Sequence, residues 1–182
     1  MRSLALALLA FALALPAAAQ QKVIPEKSFI RFAFTQMNVP VEGRYRKFDA
    51  SIAFDPAKPE ATKAEFEVDL ASIDLGTDDG NTEAKRKTWL NVEAFPKAKF
   101  TATAVKALGG GKFEARGPLT IKGFTREVVA PFTLADAAGV RTVDGQFTIK
   151  RLQYKIGENE WADTDTVADD VVVHFRFALP IH

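Results

Sequence analysis

The 182-residue chain contains no cysteine, which excludes thiol catalysis and thiolate metal ligands and leaves the fold without disulfides. Two histidines are present, His174 and His182, so a histidine-based metal cluster or catalytic triad would need one of them. The acidic clusters at residues 78–81 and 163–165 lack the spacing of a calcium loop with a terminal Glu. No G-x-S-x-G, P-loop or G-x-G-x-x-G motif in a strand-to-helix context is found. The sequence therefore predicts a protein that is not an enzyme and holds neither a metal nor a catalytic cofactor.

A long apolar run occurs once, at residues 4–15, after a single positive charge at Arg2. Pro16 ends the run, and Ala17-Ala18-Ala19 supplies the small residues at which signal peptides are cut. Twelve apolar residues are too few to span a bilayer, which takes about 20. The pattern predicts a signal peptide over residues 1–19, export of the protein, and a single domain over residues 20–182.

The chain also lacks an excess of charge of either sign, with 24 Lys and Arg against 23 Asp and Glu. A balanced charge gives no general attraction to nucleic acid, whose binding depends on neutralising phosphates. The sequence therefore predicts no nucleic-acid partner.

Apolar residues alternate with polar ones over most of the remaining chain. Residues 63–70 read KAEFEVDL and residues 97–104 read KAKFTATA, and Val171 to Leu179 continue the pattern. A period of two is typical of a strand with one dry face and one wet face. About eight to nine such strands predict an all-β fold, either a sandwich or a closed barrel; closure would also remove the edge strands.

The dry rows combine many of the 15 phenylalanines with small alanines. If these rows face a common interior, the alanines leave free volume for one small ligand. The same residues interdigitating in a solid core would give the same pattern. The composition alone leaves both interpretations open.

Two segments depart from the alternation. Residues 78–90 predict a short helix capped by Asp78 or Asp79, with the basic residues 85–87 at its end, where they suit the helix dipole or anionic headgroups. Trp89 and Leu90 follow, either as a lid over a pocket or as the residues that pack the helix onto the sheet. Gly117-Pro118 within a strand-like run predicts a bulge.

Several segments, in the same order along the chain, resemble the YceI-like family of secreted bacterial proteins. They are QMNVPVEGRY (36–45), LASID (70–74), WLNVEAFPKAKF (89–100), GPLTIKG (117–123), KRL (150–152) and GENEWAD (157–163). One position departs from the family pattern, because many members carry a histidine where this chain has Gln36.

The resemblance implies an extended lipocalin-like antiparallel β-barrel of about eight strands with one or two short helices, located in the periplasm. It further implies a long interior pocket for an isoprenoid lipid, either an isoprenoid quinone or a polyprenyl lipid, and so a carrier function. The alternative is an interaction module for a membrane redox protein such as a b561-type cytochrome. The oligomeric state is left open between a monomer and a homodimer.

Two sets of residues follow as candidate lipid contacts. The pocket is predicted to be lined by Phe32, Phe34, Phe66, Phe100, Ala102, Phe132, Phe147, Phe175 and Phe177. Its mouth is predicted to be formed by Met37, Trp89, Arg151, Tyr154 and Trp161.

Overall fold

The alternating sequence forms twelve β-strands within residues 21–181, the part of the chain that the computed structural model describes. The strands are β1 (Gln21–Lys22), β2 (Phe29–Gln36), β3 (Val39–Tyr45), β4 (Phe48–Ala53), β5 (Lys63–Asp69), β6 (Ile73–Asp74), β7 (Lys97–Thr101), β8 (Ala104–Gly109), β9 (Lys112–Ile121), β10 (Phe124–Ala137), β11 (Val140–Lys150) and β12 (Asp170–Pro180). One α-helix, α1 (Asp78–Lys85), lies in this range. Single 3-10 turns occur at Pro25–Lys27, Pro59–Ala61, Leu70–Ser72, Arg151–Tyr154 and Asn159–Ala162. The predicted signal peptide lies outside the described residues.

Within the described range the strands form one sheet, and every pairing in it is antiparallel. Its order is β1-β4-β5-β7-β9-β10-β11-β12-β2-β3-β6, with β8 added onto β9. The sheet curls into a half-barrel, which confirms the predicted fold class. The strand number exceeds eight because β1 and β6 are two-residue strands and because residues 97–104 divide between β7 and β8.

The order of the sheet begins with β1-β4 and ends with β3-β6, and β3 is connected to β4 in the chain by the short loop of residues 46–47. No β-ladder joins these two strands in the described structure. Loop hydrogen bonds tie the region instead: the Arg46 N–H donates to the Ser72 carbonyl at 3.1 Å, and the Asp69 N–H donates to the Lys47 carbonyl at 3.1 Å. We call this β3–β4 junction the seam.

The strand register directs the predicted dry rows toward one inner face. Phe66 on β5 lies opposite Ala50 on β4 and Phe100 on β7, and Ala64 lies opposite Ile52. Two clusters of buried side chains occupy this face. One contains Ile30, Ala50, Ile52, Ala64, Val105, Phe113, Phe132, Val143, Phe177 and Leu179, and the other contains Leu70, Ile73, Ala84, Leu90, Ala98, Leu119, Ile121, Val128, Ile149 and Tyr154.

The bulge predicted at Gly117-Pro118 lies instead in the neighbouring β7–β8 segment. β9 pairs with β10 without interruption through both residues. On its other side, Leu119 lies opposite Phe100 and Arg116 opposite Ala104, so three residues of the β7–β8 segment face two of β9. Gly117 is required for a different reason: a Cβ there would lie 2.0 Å from the Thr101 carbonyl oxygen.

The predicted helix is shorter than expected and has a different cap. The Thr77 hydroxyl, rather than Asp78 or Asp79, accepts the first-turn hydrogen bond, from the Gly80 N–H at 3.2 Å. The helix ends at Lys85 because Arg86 is extended. Leu90 returns to the core, where it is buried and its N–H bonds the Ala84 carbonyl. The structure therefore favours packing over a lid for this residue.

Candidate functional site: an apolar cavity inside the half-barrel

The inner face of the sheet lines a cavity that side chains do not fill. The volume open to the centre of a water-sized sphere is about 150 Å³. Residues from β2 to β5 and from β7 to β12 line it, and nearly all of them are apolar. A single water needs roughly 10–15 Å³ by this kind of measure, so the space far exceeds an ordinary packing defect.

Aromatic rings form one part of the lining and small side chains form another. The Phe66 ring stacks on Phe177 at 4.5 Å between centroids, and Phe177 stacks on Phe175 at 5.4 Å. Such mutual contacts hold each ring in place. The small lining residues are Ala64, Ala98, Ala115 and Ala130. The void exists because these positions carry a methyl group where a larger side chain would reach across.

Six of the nine residues predicted to line the pocket do line this cavity. They are Phe66, Phe100, Phe132, Phe147, Phe175 and Phe177.

Phe32, Phe34 and Ala102 do not line the cavity. Phe32 lies over Gly43 on β3, where an added Cβ would meet its ring at 2.3 Å, and it stacks on Phe34 at 6.4 Å. Ala102 lies in the three-residue bulge segment between β7 and β8, and its N–H donates to the Ala64 carbonyl at 2.9 Å. Alternation identified the strand face correctly, but it could not show where along β2 the cavity ends.

Arg151 does not form a mouth and is 1% exposed. Its guanidinium donates to five backbone carbonyls of the segment between β11 and β12, at 2.6 to 3.2 Å. The acceptors are Ile156, Gly157, Trp161, Val167 and Ala168. Burial lowers the pKa of Arg151, while the nearby Asp169 opposes this. Arg151 is a structural clamp on this segment.

Tyr154, Trp89, Trp161 and Met37 also lie away from the cavity lining. Tyr154 is 1% exposed within the core, and burial raises its pKa to about 12. The two tryptophans contact each other at 5.4 Å beside the Arg151 clamp. Met37 is 71% exposed on the β2–β3 turn, at a left-handed backbone position. None of the five residues predicted to form the mouth is among those that line the cavity.

Three polar residues border the apolar space. Lys99 is exposed, and its neighbours in β7 face inward, so its ammonium group belongs to the outer surface. Burial raises the pKa of Tyr45 far above its usual value. The third is Thr62, whose Oγ1 is buried and has no hydrogen-bond partner. Sequence reasoning did not identify Thr62, because a threonine beside a turn is an ordinary surface residue by pattern.

Tyr45 also lines a charged groove outside the cavity, at the seam. This groove has a volume of about 810 Å³ and is bordered by Arg44, Arg46 and Lys97, among others. Both arginines contact Asp74 at 2.9 Å. The hydrogen bond from Arg44, followed by one from the Gly76 N–H, lowers the pKa of Asp74. The cavity and the solvent-facing groove thus meet at one tyrosine.

Within residues 21–181, no cluster of three or more histidine or carboxylate side chains is arranged to hold a metal ion. None of the helical segments described there has the length and apolar character needed to cross a membrane.

A curled antiparallel sheet around an apolar internal cavity defines a lipocalin-like binding fold. Residues 22–179 match the model of the YceI-like domain. The chain therefore belongs to the YceI-like family.

Curated relatives agree with this assignment. A UPF0312 protein of Azotobacter vinelandii is 33% identical over 105 residues, covering 57% of this chain and 55% of that protein. A UPF0312 protein of Photorhabdus laumondii is also 33% identical over 105 residues, and the match spans 54% of its length. The chain thus spans about half the length of these curated relatives.

Solved structures cover more of the chain. The structure is similar to BcnA of Burkholderia cenocepacia, with a TM-score of 0.84, 39% identity, and coverage of 86% of this chain and 98% of that one. It also resembles, in fold alone, a polyisoprenoid binding domain from Saccharophagus degradans implicated in plant cell wall breakdown. That match has a TM-score of 0.70, 15% identity, and coverage of 88% and 98%.

Proposed function

We propose that this protein binds a long isoprenoid lipid in the cavity and carries it through the periplasm. The observation that carries the proposal is an apolar space of about 150 Å³ lined by the inner face of the sheet. The polyisoprenoid binding described for the Saccharophagus degradans domain supports the same ligand class on the same fold. The predicted signal peptide at residues 1–19 supports a location outside the cytoplasm.

The driving force for binding is removal of the lipid tail from water. Each buried CH₂ contributes about 0.8 kcal/mol, so one five-carbon isoprene unit contributes about 4 kcal/mol before the entropy of ordering the tail is subtracted. The apolar lining offers few directional contacts, and any preference for a particular lipid must come from its few polar groups.

The lining does not suggest turnover of the lipid. A nucleophile and a base within hydrogen-bonding reach are the usual signature of covalent catalysis. Of the polar lining residues, Thr62 has a hydroxyl that forms no hydrogen bond within the described residues, and Lys99 belongs to the outer surface. Binding without chemistry is therefore the function proposed.

The first test is mass spectrometry of an organic extract of the purified protein, compared with the variant Phe100→Asp. Phe100 lines the cavity, and a carboxylate there faces apolar surroundings, where an unpaired charge is costly. We expect a prenyl lipid in the wild-type extract and none from the variant. Phe95→Asp is the matched control, because Phe95 is 36% exposed and does not line the cavity.

The outcome also decides where the lipid lies. Circular dichroism shows whether each variant keeps its sheet. A folded Phe100→Asp protein with full lipid loading would place the ligand elsewhere, and wild-type extracts without lipid from several expression hosts would count against carriage.

One surface feature favours the interaction-module alternative. Met37 and Val39 are 71% and 62% exposed at the β2–β3 turn, and neighbouring exposed apolar side chains are typical of contact surfaces. This alternative predicts that delipidated protein still captures a membrane redox protein, and that Met37→Ser with Val39→Ser abolishes the capture. If delipidation alone abolishes the capture, the result contradicts this alternative and favours lipid carriage.

A further inference from the structure

Thr62 occupies a defined position at one end of the cavity. The β4–β5 hairpin ends its ladder at the pair Ala53 and Lys63, which places Phe54 and Thr62 opposite each other one step further on. Ile52 lies two residues before Phe54, Ala64 lies two residues after Thr62, and both face the interior. Phe54 and Thr62 also line the cavity. The side chains of Phe54 and Thr62 therefore face the interior, as the alternation along the two strands predicts, although both residues lie beyond the last paired residues.

The Thr62 hydroxyl is a polar atom without a partner. Its oxygen is buried, and no group within the described residues forms a hydrogen bond with it. Buried hydroxyls in proteins almost always have a partner, and those that do not call for a specific explanation. A ligand that supplies the missing hydrogen bond is such an explanation, because the hydroxyl borders the proposed binding space.

We propose that the Thr62 hydroxyl donates a hydrogen bond to a carbonyl oxygen on the end group of a prenyl quinone, and that the ligand lies with this ring at the β4–β5 turn. This inference rests on the proposed function, since it orients the lipid in the same cavity. The tail then extends along the inner face toward Ile149 and Leu70, which line the cavity further from the turn.

The surroundings of Thr62 favour an uncharged ring. Phe54 and Phe132 contact each other edge to face at 6.0 Å, and Phe113 contacts both rings, at 5.4 and 5.3 Å. Aromatic side chains offer faces and edges on which a planar ring packs. A phosphate would be buried here without a cation, because the lining lysine, Lys99, belongs to the outer surface, and an unpaired buried charge is strongly disfavoured.

The test compares two isoprenoid probes, one without a polar end group and one with it. They are squalene, a prenyl hydrocarbon, and a benzoquinone with a prenyl tail of the same length, each titrated against delipidated protein by fluorescence competition. The variants are Thr62→Val, which keeps the shape and removes the hydroxyl, Thr62→Ser, which keeps the hydroxyl, and Tyr45→Phe, which removes the hydroxyl at the seam.

We expect Thr62→Val to weaken quinone binding about tenfold, the loss of one hydrogen bond, without changing squalene binding. Thr62→Ser restores quinone affinity. Tyr45→Phe, at another lining residue of the same cavity, does not weaken quinone binding relative to squalene binding. A second measurement is made without ligand: Thr62→Val raises the Tm by about 2–4 °C, because an unpaired hydroxyl is removed.

Three results would overturn the inference while leaving the proposed function intact, provided that squalene binds. They are an equal effect of Thr62→Val on both probes, no effect on either probe, or a quinone-selective loss in Tyr45→Phe, which would place the ring at the seam. If neither probe binds the wild-type protein, the proposed function and this inference fail together.

Discussion

Replacing Ala130 by leucine tests whether the cavity is a ligand site or an imperfection of the core. Ala130 is buried on β10 and lines the cavity. The substitution adds three carbons. If they fit, their burial stabilises the folded state by about 2 kcal/mol. For a domain of this size, we expect the Tm of the ligand-free protein to rise by about 4–8 °C.

The same leucine occupies space that the lipid tail would use. Displacing about three tail carbons costs roughly 2 kcal/mol of binding free energy, which is about a thirtyfold rise in Kd. Stability and affinity therefore move in opposite directions, a signature that a simple core position would not give. The assay pairs differential scanning fluorimetry of delipidated protein with squalene titration.

Ala135→Leu is the matched control, because Ala135 is exposed on the same strand. It should change neither the Tm nor the affinity beyond experimental error. Over-packing would lower the Tm of the Ala130→Leu variant, since extra methylenes in a filled core are destabilising. A lower Tm together with unchanged squalene affinity would refute the conclusion that this space is open and holds the tail.

Three further predictions concern the framework around the cavity. Arg151→Met should cost about 3–5 kcal/mol in urea unfolding, because five carbonyls lose their buried donor; a loss below about 1 kcal/mol would show that the clamp is dispensable. Gly117→Ala should cost about 2 kcal/mol or more by the same assay, since its Cβ would lie 2.0 Å from a carbonyl oxygen; unchanged stability would mean that the strands separate freely. Asp144→Asn should flatten the acid-induced loss of stability measured by unfolding at pH 2 to 6, and an unchanged pH profile would contradict this.

The sign of the Asp144 prediction follows from its neighbours. Burial opposes ionisation of this carboxyl, but hydrogen bonds from Arg176 and His174 outweigh it and lower its pKa. A carboxyl whose pKa is lower in the folded state stabilises the protein above its unfolded pKa of about 3.9. That contribution is lost as the pH falls from about 4 through the folded pKa, and asparagine has no such contribution to lose.

Strands and their inward faces could be predicted from the sequence because a period of two is a local signal. Phe66 and Phe100 lie opposite each other on the inner face, as their alternation with charged residues indicated. The position of a side chain along the barrel is a property of the register between distant strands. For that reason Phe32 lies on the predicted face of β2 but outside the cavity, over Gly43.

Long-range polar contacts were the other limit of sequence reasoning. Arg151 follows a strand and carries a charge, which is typical of a surface or a binding site. Its five acceptors are backbone carbonyls up to 17 residues away, and carbonyls are present in every sequence. Thr62 was missed for a related reason, since the absence of a hydrogen-bond partner is visible only when all neighbouring atoms are placed.

The cavity itself is a cost that the fold must offset. Residual cavities destabilise proteins by about 24 cal/mol per Å³, so 150 Å³ corresponds to about 4 kcal/mol in the ligand-free state. That is a large share of the 5–15 kcal/mol by which domains are usually stable, and no disulfide is present to offset it, since the chain has no cysteine. Leucine at one of the lining alanines would remove much of the cost. Ala64, Ala98, Ala115 and Ala130 leave this space beside rings that already stack on one another. An occupant that fills the space would return the lost stability on binding.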